Sequence, residues 1–168
     1  MLLVGALTQV SGPDPAEEYH VKGGFLLNFV KFVEWPAEAF KSPADPITIC
    51  VLGANPFGPG LAQAAEATVV DKRNLAVRQI ADAPQARGCQ IVFVGVSERK
   101  RVRAVIEATK GASGLTVGES DGFIAAGGVI EFRVEESKVK MEINAETAKR
   151  AGLRISSKLL SLSQPGMQ

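Results

Sequence analysis

The chain has 168 residues, 46% of them hydrophobic and 22% charged, with a formal net charge of +1. That length suits one domain able to bury its own core without metals or a disulfide framework. Near-neutral charge, with Lys and Arg dispersed among Asp and Glu, argues against nucleic acid as a partner, and nothing approaches the roughly 20 apolar residues that span a bilayer.

Residues 1–10 (MLLVGALTQV) are apolar and run into a Ser-Gly-Pro turn. They have the hydrophobicity of a signal-peptide core but lack its basic start. Residues 1–14 are read as a leader or signal-peptide remnant, 15–163 as a single α/β domain and 164–168 as a loose tail. From 15 to 35, Tyr19, Phe25, Leu26, Phe29, Val30 and Val33 recur at steps of three and four, which predicts an amphipathic helix. Asp14 stands at its N-cap, Pro15 at its first position and Glu17 and Glu18 in its first turn. Gly23 and Gly24 each cost about 1 kcal/mol inside a helix and imply close approach of another element. Trp35 precedes Pro36 and is pushed out of the α region, which predicts the stop there.

Residues 47–53 (ITICVLG) form a buried strand by composition, followed by a Gly/Pro turn and an Ala-rich helix over 57–67. Residues 75–80 alternate like a strand, and 90–96 (QIVFVGV) make a second fully apolar one. A helix over 98–109 carries Val102, Val105 and Ile106 on one face. A brief strand over 115–118 and one or two helical turns over 121–126 follow. Residues 129–134 and 139–143 alternate about Glu135-Glu136-Ser137-Lys138, the pattern of a hairpin. Asn144 caps a helix that runs to Ala151 and stops at Gly152, and 155–162 is a last apolar segment. The fold class is α/β: three layers, α/β/α, with a mostly parallel mixed sheet and a C-terminal antiparallel hairpin.

Chemistry-bearing patterns are scarce. The glycines of 53–60 (GANPFGPG) match neither G-x-G-x-x-G nor the Walker spacing, and Pro56 and Pro59 remove donors a phosphate cradle would use. His20 is the single histidine, no spaced carboxylate cluster offers a metal site, and the Gly-Ala-Ser-Gly run at 111–114 lacks the spacing and strand of a nucleophile elbow. Glu119 and Asp121 read as acidic caps near a strand end. No catalytic residue, metal or cofactor is assigned. The two cysteines, Cys50 and Cys89, lack metal or redox spacing, and their count alone favours two buried thiols.

The longer signatures carry a resemblance. Residues 19–36 read YHVKGGFLLNFVKFVEWP, with a Lys-x-x-Phe-Leu-x-Asn-Phe-x-Lys-Phe run leading into Glu-Trp-Pro. Residues 49–58 (ICVLGANPFG), 89–94 (CQIVFV), 115–119 (LTVGE), Gly127-Gly128-Val129-Ile130, Ile143-Asn144 and 151–162 (AGLRISSKLLSL) continue in order. Together they resemble the YfiR family. The resemblance implies a non-enzymatic periplasmic protein that restrains an inner-membrane diguanylate cyclase of the YfiN type, and so controls cyclic di-GMP and biofilm formation. An outer-membrane lipoprotein of the YfiB type would release the restraint, and a homodimer is part of the expectation. The other reading is a periplasmic small-molecule sensor domain serving a different membrane signalling protein. The family's best-studied members carry further cysteines in the C-terminal half, and this chain has none after Cys89.

Two site expectations follow. Cys50 lies in the first buried strand and Cys89 just before the third. If these strands are neighbours, the implied oxidising compartment favours a Cys50–Cys89 disulfide over an unbonded pair. The second places ligand or partner binding where the chain ends meet: Trp35 and Phe40 from the first helix and its exit, Arg154, Ser156 and Ser157 from the last segment. The alternative leaves Trp35 as a core plug and Arg154 solvated.

Overall fold

The computed structural model describes residues 14–163. The expected leader, apart from Asp14, and the expected tail lie outside the described residues. The first helix, α1 (Pro15–Phe32), has Pro15 at its start and Glu17 and Glu18 in its first turn, where carboxylates suit the positive helix end. Asp14 holds the cap position, but its side chain makes no capping hydrogen bond. Gly23 lies against Phe57, since a Cβ there would sit 3.5 Å from that ring, whereas Gly24 faces open space and needs no close neighbour. The helix ends earlier than the Trp-Pro step predicts, because the chain straightens into β1 (Val33–Glu34).

A 3-10 turn at Ala37–Ala39 leads to β2 (Ile47–Leu52), all of whose residues are buried. Then come α2 (Gly60–Glu66), β3 (Val69–Val70), β4 (Arg73–Ile80), a 3-10 stretch (Ala83–Gly88) and β5 (Ile91–Val94). A further 3-10 stretch (Val96–Arg101) runs into α3 (Val102–Thr109), followed by β6 (Leu115–Gly118). The hairpin β7 (Ile130–Glu135) and β8 (Lys138–Ile143) precedes α4 (Ala145–Arg150), β9 (Arg154–Ile155) and α5 (Ser157–Leu160).

The large sheet has the order β3-β4-β2-β5-β6-β7-β8. Its interior pairs are parallel, and both edges are antiparallel. The C-terminal edge is the expected hairpin, turned at Glu136 and Ser137, whose φ of 52° and 64° fit a two-residue left-handed turn. The other edge was not foreseen: Asp71 and Lys72 make the same kind of turn (φ 51° and 66°) with no glycine to announce it.

Alternation along the strands divides the core between the two faces. Ile49, Val51, Ile91, Phe93, Leu115 and Val117 pack with Leu26 and Phe29 of α1. Cys50, Leu52, Val92 and Val94 pack with Val102 and Val105 of α3 and with Ala83 and Ala86. The expected three layers are therefore present. Phe29 and Phe93 both meet Phe132, with ring centroids 6.1 and 6.5 Å apart. Each such buried ring contributes roughly 1.5–3 kcal/mol through removal from water.

Candidate functional site

The segment leaving α1 and the segment following α4 meet through main-chain pairing. Strand β1 runs antiparallel to β9, with Val33 opposite Ile155 and Glu34 opposite Arg154. Ser156 N–H then donates to the Phe32 carbonyl at 2.9 Å, fastening the last segment to the end of α1. Val33 is buried at this junction, and Ile155 packs against the same core.

The five candidate side chains have different surroundings. Arg154 and its cross-strand neighbour Glu34 form a long ion pair (3.9 Å) with side chains 85% and 75% exposed. A pair in that much solvent adds little stability and leaves both groups available. Ser157 is exposed at the start of α5. Ser156 is committed locally: its hydroxyl accepts from Leu159 N–H at 3.2 Å and caps α5. Trp35 is half-buried, and its indole N–H donates to the Gln90 carbonyl at 3.0 Å. Gln90 also binds Thr48 N–H and the Ala39 carbonyl through its side chain, so the indole is fastened to the hub joining β2 and β5.

Phe40 belongs to a separate corner. The Arg73 guanidinium lies 3.6 Å over its ring and donates to the Asp45 carbonyl at 2.7 Å. The Ser42 hydroxyl, with main-chain N–H groups of Lys41 and Ser42, holds the Asp45 carboxyl below its usual range. Phe40 walls a cleft of 370 Å³ shared with Asp45, Arg87 and Gln90. The structure thus joins the Trp35 and Arg154 segments directly and places Phe40 to one side.

Cys50 and Cys89 are linked by a disulfide with a Cα–Cα separation of 6.0 Å. The link joins neighbouring parts of the sheet: β2 pairs with β5, and Cys89 ends the 3-10 stretch just before β5. Both cysteines are buried on the α3 side of the sheet. His20 is exposed on α1. Among the described residues, no group of His, Cys, Asp or Glu is arranged to hold a metal ion, and no helix is long and apolar enough to cross a membrane.

A second polar centre escaped the sequence reading. Lys22 of α1 and Glu119, just past β6, form an ion pair at 2.7 Å with side chains only 3% and 4% exposed. Lys22 also bonds Glu18 one turn earlier. Glu119 accepts from the Tyr19 hydroxyl and from Val96 N–H, each at 2.8 Å. It is therefore a buried tie between helix and sheet, and not the acidic cap expected near the strand end. Burial, then the hydrogen bond to Glu119, pushes the Tyr19 phenol well above its ordinary range. The available signal was a Lys on the apolar stripe of α1, between Tyr19 and Leu26.

The YfiR/HmsC-like family model matches residues 19–164. Among solved structures, the chain is similar to a conserved domain protein from Vibrio cholerae O1 biovar eltor, with a TM-score of 0.54 and 12% identity. The likeness covers 87% of this chain and 58% of that one, and at that identity it concerns the fold alone.

Proposed function

This chain belongs to the YfiR/HmsC-like family, and on that premise we propose that it inhibits an inner-membrane diguanylate cyclase of the YfiN type from the periplasmic side. The family comprises periplasmic, non-catalytic regulators of cyclic di-GMP signalling. The single observation that carries the reading is the extent of the match, which takes in nearly every described residue. The candidate contact surface is the β1–β9 junction. Arg154 and Ser157 are exposed there, and Trp35 supplies a half-buried aromatic fastened to the sheet. Arg and Trp are the residue types most often found at interface hot spots. A lipoprotein of the YfiB type would relieve the inhibition by competing for this protein. Residues 15–163 act in this reading as one domain.

The test is cyclic di-GMP measured in cells with and without this gene, with the candidate cyclase present or deleted. A rise on loss of the gene that disappears when the cyclase is also deleted supports inhibition. Unchanged cyclic di-GMP counts against it.

A further inference from the structure

A cavity of 560 Å³ opens just beyond the carboxyl ends of β5 and β6. Clefts of about 300–1,000 Å³ suit small molecules. One wall is the segment around Arg99, Lys100 and Arg103; the other is the loop from Ser120 to Ala126. None of these three cations takes part in an ion pair among the described residues. Glu119 is already committed to Lys22, Tyr19 and Val96 N–H, which leaves Asp121 as the one uncommitted carboxylate in the lining.

Two further observations point inward. Ser120 lines the cavity, is 9% exposed, and its hydroxyl is the one buried side-chain polar atom without a hydrogen-bond partner among the described residues. A buried hydroxyl left unbonded costs free energy, so rotation of the Ser120 side chain toward an acceptor in the cavity is favoured. The loop that presents it is fixed: Phe123 fills the space left by Gly118 and Gly128, where a Cβ would lie 2.3 and 2.1 Å from the ring. Side chains at such closely packed positions hold their geometry before a ligand arrives.

We infer that this cavity binds a small organic phosphate, with Arg99, Lys100 and Arg103 around the phosphoryl oxygens and the Ser120 hydroxyl donating to one of them. Guanidinium groups match phosphate oxygens in pairs. Val96 and Val102 supply apolar wall for the organic part. The site lies apart from the β1–β9 junction and does not depend on which partner that surface meets.

The test uses isotope-labelled full-length protein and follows amide shifts on titration with inorganic phosphate, phenyl phosphate and, at matched ionic strength, sodium chloride. Saturable shifts centred on residues 99–103 and 120–123 are expected with both phosphates and not with chloride, and phenyl phosphate should bind more tightly. The double variant Arg99→Gln/Arg103→Gln should weaken binding about tenfold or more at unchanged melting temperature, and Ser120→Ala about threefold with a melting temperature equal to or above the parent's. Shifts that match those of chloride, fail to saturate, or persist in the double variant would overturn the inference. So would binding confined to phosphatidylglycerol vesicles in a sedimentation assay, because the proposed ligand is a free solute.

Discussion

Lys22 and Glu119 stand 97 residues apart in sequence and form one buried ion pair, which fastens α1 to the carboxyl end of β6. A buried pair is weak evidence of net stability, yet removing one member strands the other. Glu119→Leu leaves the Lys22 ammonium with Glu18 alone and deprives Tyr19 and Val96 N–H of their acceptor. A loss of about 3–5 kcal/mol is expected in urea unfolding. The double variant Lys22→Met/Glu119→Leu should lose less than the sum of the two single changes, and an additive result would show that the pair does not couple.

Tyr19 is the only tyrosine in the chain, so absorbance near 295 nm reports its ionisation alone. Its phenol is raised by burial and by the hydrogen bond to Glu119. A group whose folded pKa lies above its unfolded value of about 10 stabilises the fold fully below that value. The contribution is then lost as pH rises through the folded pKa. The native protein should hold a neutral Tyr19 at a pH where the denatured chain is already tyrosinate, and its stability should fall above about pH 10. Glu119→Gln should bring the native titration down towards the denatured one. A native curve that superimposes on the denatured curve would refute the assignment.

The Cys50–Cys89 link closes a loop with a sequence separation of 39. Loop-closure entropy for that length corresponds to about 4 kcal/mol. Cys50→Ala/Cys89→Ala should lower the melting temperature and the urea midpoint accordingly while retaining the fold. Mass spectrometry of non-reduced protein, alkylated under denaturing conditions, should find no labelled thiol. Two labelled thiols would mean the link does not form in the purified protein.

The parts of this fold that were legible in sequence are those with a continuous apolar run or a clear period. Ile47–Leu52, Ile91–Val94 and Leu115–Gly118 are strands buried on both faces, and their composition alone marks them. The two-residue strands β1 and β9 carry no period, because main-chain pairing between distant segments makes them. Strand β3 was hidden by a turn of Asp71 and Lys72, residues that do not advertise a left-handed conformation. The Cys50–Cys89 contact was accessible through strand adjacency. The Lys22–Glu119 pair was only half visible: Lys22 interrupts the apolar stripe of α1, but nothing in the sequence names Glu119, 97 residues away, as its partner.

Trp35 tests whether an aromatic beside the proposed partner surface acts as a strut. Its indole N–H bonds the Gln90 carbonyl, while the ring packs against the core on the α1 side. Trp35→Phe keeps most of the ring contact and loses one hydrogen bond, an expected cost of about 1 kcal/mol. Trp35→Ala removes the ring as well and should cost about 3 kcal/mol or more. If both variants melt like the parent protein, the residue carries no structural load.

Arg154 separates the surface role from the structural one. Its side chain is 85% exposed and its distance to Glu34 is 3.9 Å, a geometry worth at most a few tenths of a kcal/mol. Strand β9 is held to β1 by main-chain pairing, which an alanine preserves. Arg154→Ala should therefore fold and melt like the parent protein. If the β1–β9 surface grips the cyclase, losing an interface Arg should weaken the complex by about tenfold or more. In cells, cyclic di-GMP should rise towards the level seen without the gene. Ser157→Ala, a smaller change at the same exposed face, should act in the same direction with less effect, whereas Ser156→Ala should lower stability by about 1 kcal/mol through loss of the α5 cap. Normal regulation by Arg154→Ala and Ser157→Ala, both folded and present at parental levels, would place the partner surface elsewhere on the molecule.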